Sequence, residues 1–296
     1  MKKRVIIVDG NNALHRSYHK FKNMKSKKGE PSSIIYGFPL IISGLIRKFN
    51  PNHFVIAFDH SRNKHRMAAL PNYKNREHRL DFDYEDFNKQ CEIARKAMTA
   101  LGIDYIRIKG QEADDIIYML IKKYLKKGFT DIIIISSDKD FQQLITKEVS
   151  IWQPNHNRLL TYKNHESVFG YTVKQSLDYL ILDGDKSDKI PGYRGMGEKK
   201  ITAFLKEHTS IRKFLKSDKT HKTMSKEELE VIYKRNRLLI DIRYFCRKFI
   251  DKADMKITKG KKKIDSIYLS DLTNTYDIKT FMSGTFLKPF KTIIKK

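Results

Sequence analysis

Short apolar runs alternate with helix-like stretches over the first half of the chain. The runs have the length of buried strands, and they lie at 5–8, 54–58, 105–108, 132–135 and 149–153. Between them, apolar residues recur at helical spacing over 32–48 and 113–124. Continuous apolar strands that alternate with helices predict the α/β class. We expect a parallel twisted sheet flanked by helices on both faces.

The strand pattern fades after residue 165, and glycine-interrupted helices replace it. We predict helices at 173–182, 198–207 and 225–248, and an exposed lysine-rich loop at 251–263. The chain therefore divides into an α/β core over 1–165 and a helical region over 166–296. Inside the core, the segment 60–100 is long for a strand connection, and such connections are usually functional or mobile.

The charge balance indicates the partner. Lysine and arginine total 60 against 34 acids among 296 residues, a net charge of +26. Such a field attracts polyanions, with nucleic acid the leading candidate and an anionic membrane surface second. Two cysteines, Cys91 and Cys246, are too few for a disulfide framework or a four-cysteine zinc site, and they fit a reducing compartment.

The sequence shows no apolar run of the length that spans a bilayer, about 18 residues or more. Only four apolar residues follow the basic start Met1-Lys-Lys-Arg before Asp9, which is short for a signal peptide. We expect a monomer that does not enter the membrane. Its expected location is the cytoplasm, or the host cytoplasm if a phage encodes it.

Acidic residues follow each of the first four predicted strands. Carboxyl ends of parallel strands meet at one crevice, so these carboxylates should converge there. Their repulsion would raise several pKa values unless divalent cations bind, and oxygen ligands suit Mg²⁺ or Mn²⁺. Taken singly, each acid has the alternative role of an N-cap or a solvated turn residue. The acids are Asp9, Asp59, Glu112, Asp114, Asp115, Asp138 and Asp140.

A metal cluster beside a basic surface predicts phosphodiester hydrolysis. Two cations about 4 Å apart activate a water and stabilise the leaving oxygen. A further acidic pair, Asp185 and Asp188, is three residues apart and precedes a glycine-rich segment. The rival without catalysis is a DNA-binding protein that uses charge alone, but it leaves the carboxylates unexplained.

Positive residues cluster after Asp59. A cation near the scissile phosphate would stabilise the charge that develops in the transition state. The alternative is a solvated loop that attracts DNA non-specifically, and we favour it for Arg62, Lys64 and Arg79. The remaining members of the cluster are Arg66, Lys74 and Arg76.

Three glycines lie in the segment 190–201 before a predicted helix. Glycine lets a backbone approach a phosphate closely, and the helix start offers free N–H donors. Glu198 occupies the position where a nucleotide-binding P-loop needs lysine, so a helix–hairpin–helix on a DNA backbone fits better. An ordinary glycine-rich turn is the alternative. The candidate DNA contacts here are Gly195, Gly197, Lys199 and Lys200.

Several motifs together resemble the flap endonuclease-type 5′-nucleases, and in length the phage T4-type ribonuclease H within them. The resemblance covers roughly residues 3–250. The motifs, in chain order, are Val8-Asp-Gly-Asn-Asn12, Phe58-Asp59, Tyr73-Lys74, Glu112-Ala-Asp-Asp115, Ser136-Ser-Asp-Lys-Asp140 and Gly184-Asp-Lys-Ser-Asp188.

The resemblance implies a PIN-like core and a set of site residues. Lys74 would lie near the scissile phosphate with Arg66 as its companion, and 66–100 would form an arch for a 5′ single strand. The hairpin, over 184–207, would hold the duplex, and in relatives it can hold a potassium ion. Asp9, Asp59, Glu112, Asp114, Asp138 and Asp140 would bind metal, and Asp115, Asp185 and Asp188 would complete a second metal group.

The family often has two residues between this lysine and the next arginine, whereas here only Asn75 separates Lys74 from Arg76. That leaves the role of Arg76 open, with Arg79 as its substitute.

The implied activity is a Mg²⁺-dependent 5′→3′ exonuclease and flap endonuclease, with two metal ions that Mn²⁺ can replace. It would remove RNA primers and 5′ flaps in phage-type replication. Its partners would be DNA with a 5′ flap or 5′ end, RNA–DNA hybrids, and a single-strand binding protein or sliding clamp. The rival hydrolase is a PIN-type ribonuclease that cuts single-stranded RNA.

Overall fold

A computed structural model describes residues 3–75, 82–250 and 255–296. Its centre is a six-stranded sheet in the order β3-β2-β1-β4-β5-β6, in which β1 to β5 run parallel and β6 is antiparallel to β5. This confirms the predicted parallel sheet, while the short edge strand β6 was not foreseen. The strands are β1 (Arg4–Asp9), β2 (His53–Phe58), β3 (Asp104–Arg107), β4 (Asp131–Ile135), β5 (Val149–Gln153) and β6 (Arg158–Leu160).

Helices cover the sheet and form the C-terminal half. A second, two-stranded antiparallel sheet joins β7 (Gly184–Asp185) to β8 (Ile190–Pro191). The helices are α1 (Gly10–Lys20), α2 (Ser33–Phe49), α3 (Lys64–Ala69), α4 (Tyr84–Ala100), α5 (Ala113–Lys126), α6 (His165–Phe169), α7 (Ser176–Asp183), α8 (Glu198–His208), α9 (Ile211–Lys216), α10 (Lys226–Ile240), α11 (Ile242–Phe249), α12 (Ser266–Tyr276) and α13 (Gly284–Ile294).

Both faces of the sheet are buried, which explains why its strands are apolar without alternation. In β1, Ile6 and Val8 pack into the layer that contains α2 and α4. The intervening Val5 and Ile7 pack on the opposite side, in the layer that contains α5. Successive side chains of a strand point to opposite faces, so a strand covered on both sides needs an apolar residue at every position.

Two predictions about helical segments need correction. The predicted arch over 66–100 is too long, because α4 is a core helix in which Ala94, Ala97 and Met98 are fully buried. The predicted helix at 225–248 is two helices, because Asp241 leaves the helical conformation and caps α11 through the Tyr244 N–H.

The predicted division at residue 165 also differs from the packing at the C-terminal end. The helices α12 and α13 return to the main core, where Leu269, Phe286 and Phe290 pack with residues of α2 and α4. Residues from α7 to α10 form their own apolar cluster, which includes Phe204, Phe214 and Leu229. Among the described residues, no helix has both the length and the apolar character needed to cross a membrane.

Candidate active site at the carboxyl edge of the sheet

The strand-end acids meet at one edge of the sheet, as predicted. Asp9 is the last residue of β1 and caps α1 by accepting from the Asn12 N–H at 3.0 Å. Asp59 follows β2, and its Oδ1 accepts from the Ala113 N–H at the start of α5 at 2.5 Å. Asp138 follows β4 and caps a short 3₁₀ helix through the Asp140 N–H at 2.8 Å. Capping therefore orients these carboxylates and does not exclude a second role.

Two polar side chains that the sequence analysis did not single out hold this cluster together. The fully buried Ser136 donates its hydroxyl to Asp9 Oδ2 at 2.7 Å and accepts from the Asp138 N–H at 3.1 Å. Asn11 Oδ1 accepts from the Asp59 N–H at 3.1 Å. Both residues belong to the sequence motifs named above, so the motifs already contained them. Only the fold shows that their side chains connect residues at the ends of different strands.

Burial and mutual repulsion shape the electrostatics of the cluster. Burial raises the pKa of Asp9 to about 7, and the charges of Asp59 and Asp138 add to the rise. Burial also raises the pKa of Asp114 well above its usual value, and Asp138 and Asp9 raise it further. The pKa of Asp140 rises in the same way, through burial first and then Asp138. The group is therefore a set of carboxylates whose joint ionisation requires a compensating positive charge.

The negative charge of Glu112 is already balanced by nearby positive side chains. Its Oε2 accepts from the Tyr73 hydroxyl at 2.8 Å and lies 2.6 Å from Lys74 Nζ. Arg66 Nη1 lies 3.5 Å away. Burial alone would raise the pKa of Glu112, but Arg66 and Lys74 together bring it below its usual value. Glu112 is thus an ionised carboxylate at the edge of the cluster, held by Tyr73, Lys74 and Arg66 from the segment between β2 and α4.

Asp115 and Arg66 have a different position from the predicted one. They form a buried bidentate ion pair, with Nη1–Oδ2 at 2.6 Å and Nη2–Oδ1 at 2.8 Å. Arg66 also donates to the Leu239 carbonyl at 3.1 Å, and its guanidinium lies 3.8 Å from the Phe245 ring centroid. With both carboxylate oxygens of Asp115 engaged, the structure places this pair beside the cluster, in contact with α10 and α11.

Lys74 places a positive charge beside the acids. Its backbone has a positive φ of 50°, and its N–H donates to the Asp188 carbonyl at 3.0 Å. Its Nζ also lies 3.7 Å from the Asp188 carboxylate. This connection joins the basic segment after α3 to the loop between β7 and β8.

The loop between β7 and β8 carries the predicted second acidic pair. Asp185 Oδ1 accepts from the N–H groups of Ser187 and Asp188, at 2.8 and 3.1 Å. Its other oxygen lies 3.8 Å from Lys139 Nζ. Burial alone would raise the pKa of Asp185, but the Ser187 hydroxyl and Lys139 lower it. Asp185 raises the pKa of both Asp138 and Asp140, so the loop faces the strand-end cluster.

The glycine hairpin projects into open space. Gly195 has a positive φ of 79°, and Gly197 precedes α8 as its N-cap residue. No atom lies within 4 Å of the position a Cβ would take at either glycine. Lys199 and Lys200 are exposed in the first turn of α8, and Lys200 Nζ donates to the Gly195 carbonyl at 3.0 Å. The predicted residues Arg76 and Arg79 lie outside the described residues.

The donor set suits hard divalent cations, although the side chains do not form a finished coordination sphere. In the described part of the chain, no three carboxylate, histidine or cysteine side chains converge as a complete metal site. The cluster nevertheless supplies only oxygen ligands, and its members raise one another's pKa values. Carboxylate oxygens prefer Mg²⁺ and Mn²⁺ over zinc, and a bound cation would relieve the repulsion.

Comparison with known proteins identifies the class. Residues 4–172 match the family model described as the 5'-3' exonuclease, N-terminal resolvase-like domain. The chain therefore belongs to the 5′–3′ exonuclease family and is a nuclease by class, a result that disfavours the purely architectural DNA-binding alternative.

Individual relatives agree over most of the chain. A 5'-3' exonuclease of Aquifex aeolicus is 29% identical over 93% of this chain and 96% of its own length. One from Buchnera aphidicola subsp. Schizaphis graminum is 35% identical over 71% and 72%. The bacteriophage T5 D15 flap endonuclease, solved with DNA and metal ions, superposes with a TM-score of 0.69 at 18% identity, over 99% of this chain and 100% of that one. This likeness confirms the PIN-like 5′-nuclease fold.

Proposed function

We propose that the protein is a Mg²⁺-dependent 5′→3′ exonuclease and flap endonuclease that hydrolyses phosphodiester bonds at the 5′ ends of DNA. The observation that carries the proposal is the group of partly or fully buried acids on the ends of four parallel strands, with Lys74 beside it. The similarity to a T5 flap endonuclease solved with DNA and metal ions supports the substrate class.

Asp9, Asp59, Asp114, Asp138 and Asp140 would hold one cation group, with Glu112 at its edge. Asp185 and Asp188 would complete a second group. Bound divalent cations supply an activated water and stabilise the leaving oxygen. Ser136 and the backbone caps keep the carboxylates oriented toward the same crevice.

Lys74 is the residue we assign to the scissile phosphate. Its Nζ lies between Glu112 and Asp188, at 2.6 and 3.7 Å. The carboxylate of Glu112 raises the pKa of Lys74 well above its usual value, against the lowering effect of burial, so it stays a cation at neutral pH. A fixed positive charge at this place stabilises negative charge that develops on the phosphate.

We assign binding of the DNA duplex to the hairpin before α8. Gly195 and Gly197 leave room for close approach of a phosphate backbone, and Lys199 and Lys200 add positive charge. We also retain a potassium ion at this hairpin as part of the proposal. We propose further that the protein removes RNA primers and acts on RNA–DNA hybrids. We also propose that it contacts a single-strand binding protein or a sliding clamp.

The test is cleavage of a 5′-flap duplex labelled at either end, with Mg²⁺, with EDTA, and with the variant Asp138→Asn. The matched control is Asp271→Asn, which removes an exposed carboxylate on α12. We expect Mg²⁺-dependent cuts at the junction or short products from the 5′ end, lost in Asp138→Asn and kept in the control. Cleavage of single-stranded RNA alone would favour the PIN-type ribonuclease instead, and full activity in EDTA would overturn the metal assignment.

A further inference from the structure

A lysine-lined cavity opens at the edge of the sheet opposite the acidic cluster. Its volume is about 690 Å³. Among the described residues, none of those that line it is an aspartate or a glutamate. Half of the lining residues are lysines, namely Lys3, Lys123, Lys127, Lys259 and Lys296.

The parallel topology explains why residues so distant in sequence meet here. Lys3 precedes β1, and His53, which also lines the cavity, begins β2. Lys123 and Lys127 lie at the carboxyl end of α5, just before β4. All these strands start at the same edge, so their approaching segments surround one recess. Because β1 has six residues, the recess is about 17 Å from Asp9 along the strand.

The positive charge of the cavity is poorly compensated. Asp104 pairs with Lys259 at 2.7 Å, and its other oxygen accepts from the Gly260 N–H at 3.0 Å. Lys296 Nζ donates to the neutral oxygens of Asn50 and Pro51, and Lys3 Nζ lies 4.6 Å from the Phe129 ring centroid. Among the described residues, the side-chain carboxylate that pairs with a lining lysine is that of Asp104, and five lysines line the cavity.

The stability of the neighbouring helices explains only some of the lysines around the cavity. Lysines at a helix carboxyl end stabilise the helix dipole, which accounts for Lys123 and Lys127. It does not account for Lys3 and Lys259, which lie outside the helices, and Lys296 follows the end of a different helix, α13. Burial lowers the pKa of Lys123, and the charges of Lys127 and Lys259 lower it further. The lysines therefore repel one another, and an anion in the recess would relieve that repulsion.

We propose that this cavity binds the phosphate groups of a free polyphosphate ligand of nucleotide size. The volume lies in the range of small-molecule sites, about 300–1,000 Å³. Lysine ammonium groups bind phosphate as point charges, and several around one recess suit a ligand with three or four negative charges. Lysines from four separate segments of the chain line this one cavity, which favours a compact ligand over an extended strand.

The first experiment is calorimetric titration of the intact protein with inorganic tripolyphosphate, in metal-free buffer without chelator and with about 0.15 M salt, so that metal and long-range field effects are small. The test variant is Lys123→Gln/Lys127→Gln. The matched control is Lys288→Gln/Lys291→Gln, which removes two exposed charges from α13 that are not among the lining residues. We expect saturable one-to-one binding that weakens about tenfold or more in the test variant and less than about twofold in the control.

The comparison of ligands separates a free polyphosphate from a nucleic-acid backbone. A nucleoside triphosphate should bind like tripolyphosphate, and a single-stranded oligonucleotide should bind the test and control variants equally. An oligonucleotide that alone shows the tenfold loss would overturn the proposal, since the cavity would then belong to a nucleic-acid surface. Equal weakening in both variants, or no saturation, would also overturn it, because the net charge would then account for the binding.

Two further measurements keep this proposal separate from the proposed nuclease function. Thermal unfolding followed by circular dichroism should show that Lys123→Gln/Lys127→Gln folds like the wild type. Flap cleavage should persist in this variant, because neither lysine lies at the acidic edge. Loss of tripolyphosphate binding with intact cleavage supports the cavity assignment, while loss of folding would be answered by the single variant Lys3→Gln, which must then weaken the binding.

Discussion

The buried pair between Arg66 and Asp115 offers the sharpest test of how this site is supported. Resemblance placed Arg66 near the scissile phosphate, but its side chain is 2% exposed and that of Asp115 is 0% exposed. Both guanidinium Nη atoms bind the carboxylate, at 2.6 and 2.8 Å. We predict that Arg66→Met acts through stability: it leaves a buried carboxylate unpaired and lowers the free energy of unfolding by about 3–5 kcal/mol.

The assay is urea unfolding in EDTA, followed by circular dichroism, for Arg66→Met, for Asp115→Asn, and for the two together. The double variant should lose less free energy than the sum of the singles, because the second change removes the unpaired charge that the first one leaves. The exposed pair of Lys234 and Glu230 is the control, at 2.8 Å, and breaking it should cost about 0.5 kcal/mol or less.

Activity measurements decide between the two roles of Arg66. At a temperature where Arg66→Met is folded, flap cleavage should fall by much less than in Lys74→Met. The reasoning is refuted if Arg66→Met unfolds with nearly the wild-type free energy and yet abolishes cleavage. That result would mean that the arginine leaves Asp115 during the reaction and acts on the substrate.

Three further predictions follow from the same contacts. Ser136→Ala should raise the Mg²⁺ concentration for half-maximal cleavage by about 10-fold or more without changing the fold, because it removes the hydroxyl that orients Asp9; an unchanged metal titration would contradict this. Because the pKa of Asp9 is raised to about 7, protons compete with the cation, so cleavage at limiting Mg²⁺ should fall about tenfold per pH unit below 7 and level off above it. Gly192→Ala should lower the free energy of unfolding by about 1–3 kcal/mol, because the added Cβ would meet the Leu182 carbonyl. The control Gly197→Ala has open space around the added Cβ and should change the free energy of unfolding little. Equal unfolding midpoints of the two variants in urea would contradict this.

The strand-end acids illustrate how far local sequence reasoning reaches. A run such as Val5–Val8 is apolar at every position because both sheet faces are covered, and this pattern is visible without a structure. Parallel strands present their carboxyl ends at one edge, so Asp9, Asp59 and Asp138 could be placed together from their order alone. The hairpin glycines were found in the same way, from backbone requirements that are local.

The partners of those residues were not accessible in this way. Arg66 and Asp115 are 49 residues apart in the sequence. An arginine expected near acids can be either a catalytic or a structural cation until the burial of its side chain is known. The helix α4 carries apolar residues at helical spacing, but only its contacts with α2 show that it belongs to the core and not to an arch. The break at Asp241 depends on a cap that competes with helix continuation by a small free-energy difference.

What the sequence by itself determined is the set of properties that depend on neighbouring residues: the apolar strands, the acids that follow them, the glycines of the hairpin and the excess of positive charge. The tertiary structure decided which charges are paired. It set Glu112 against Lys74, buried Arg66 with Asp115, and gathered lysines from residue 3 to residue 296 around one recess. The physical reason is that pairing and desolvation depend on distances across the fold, and a linear spacing does not encode them.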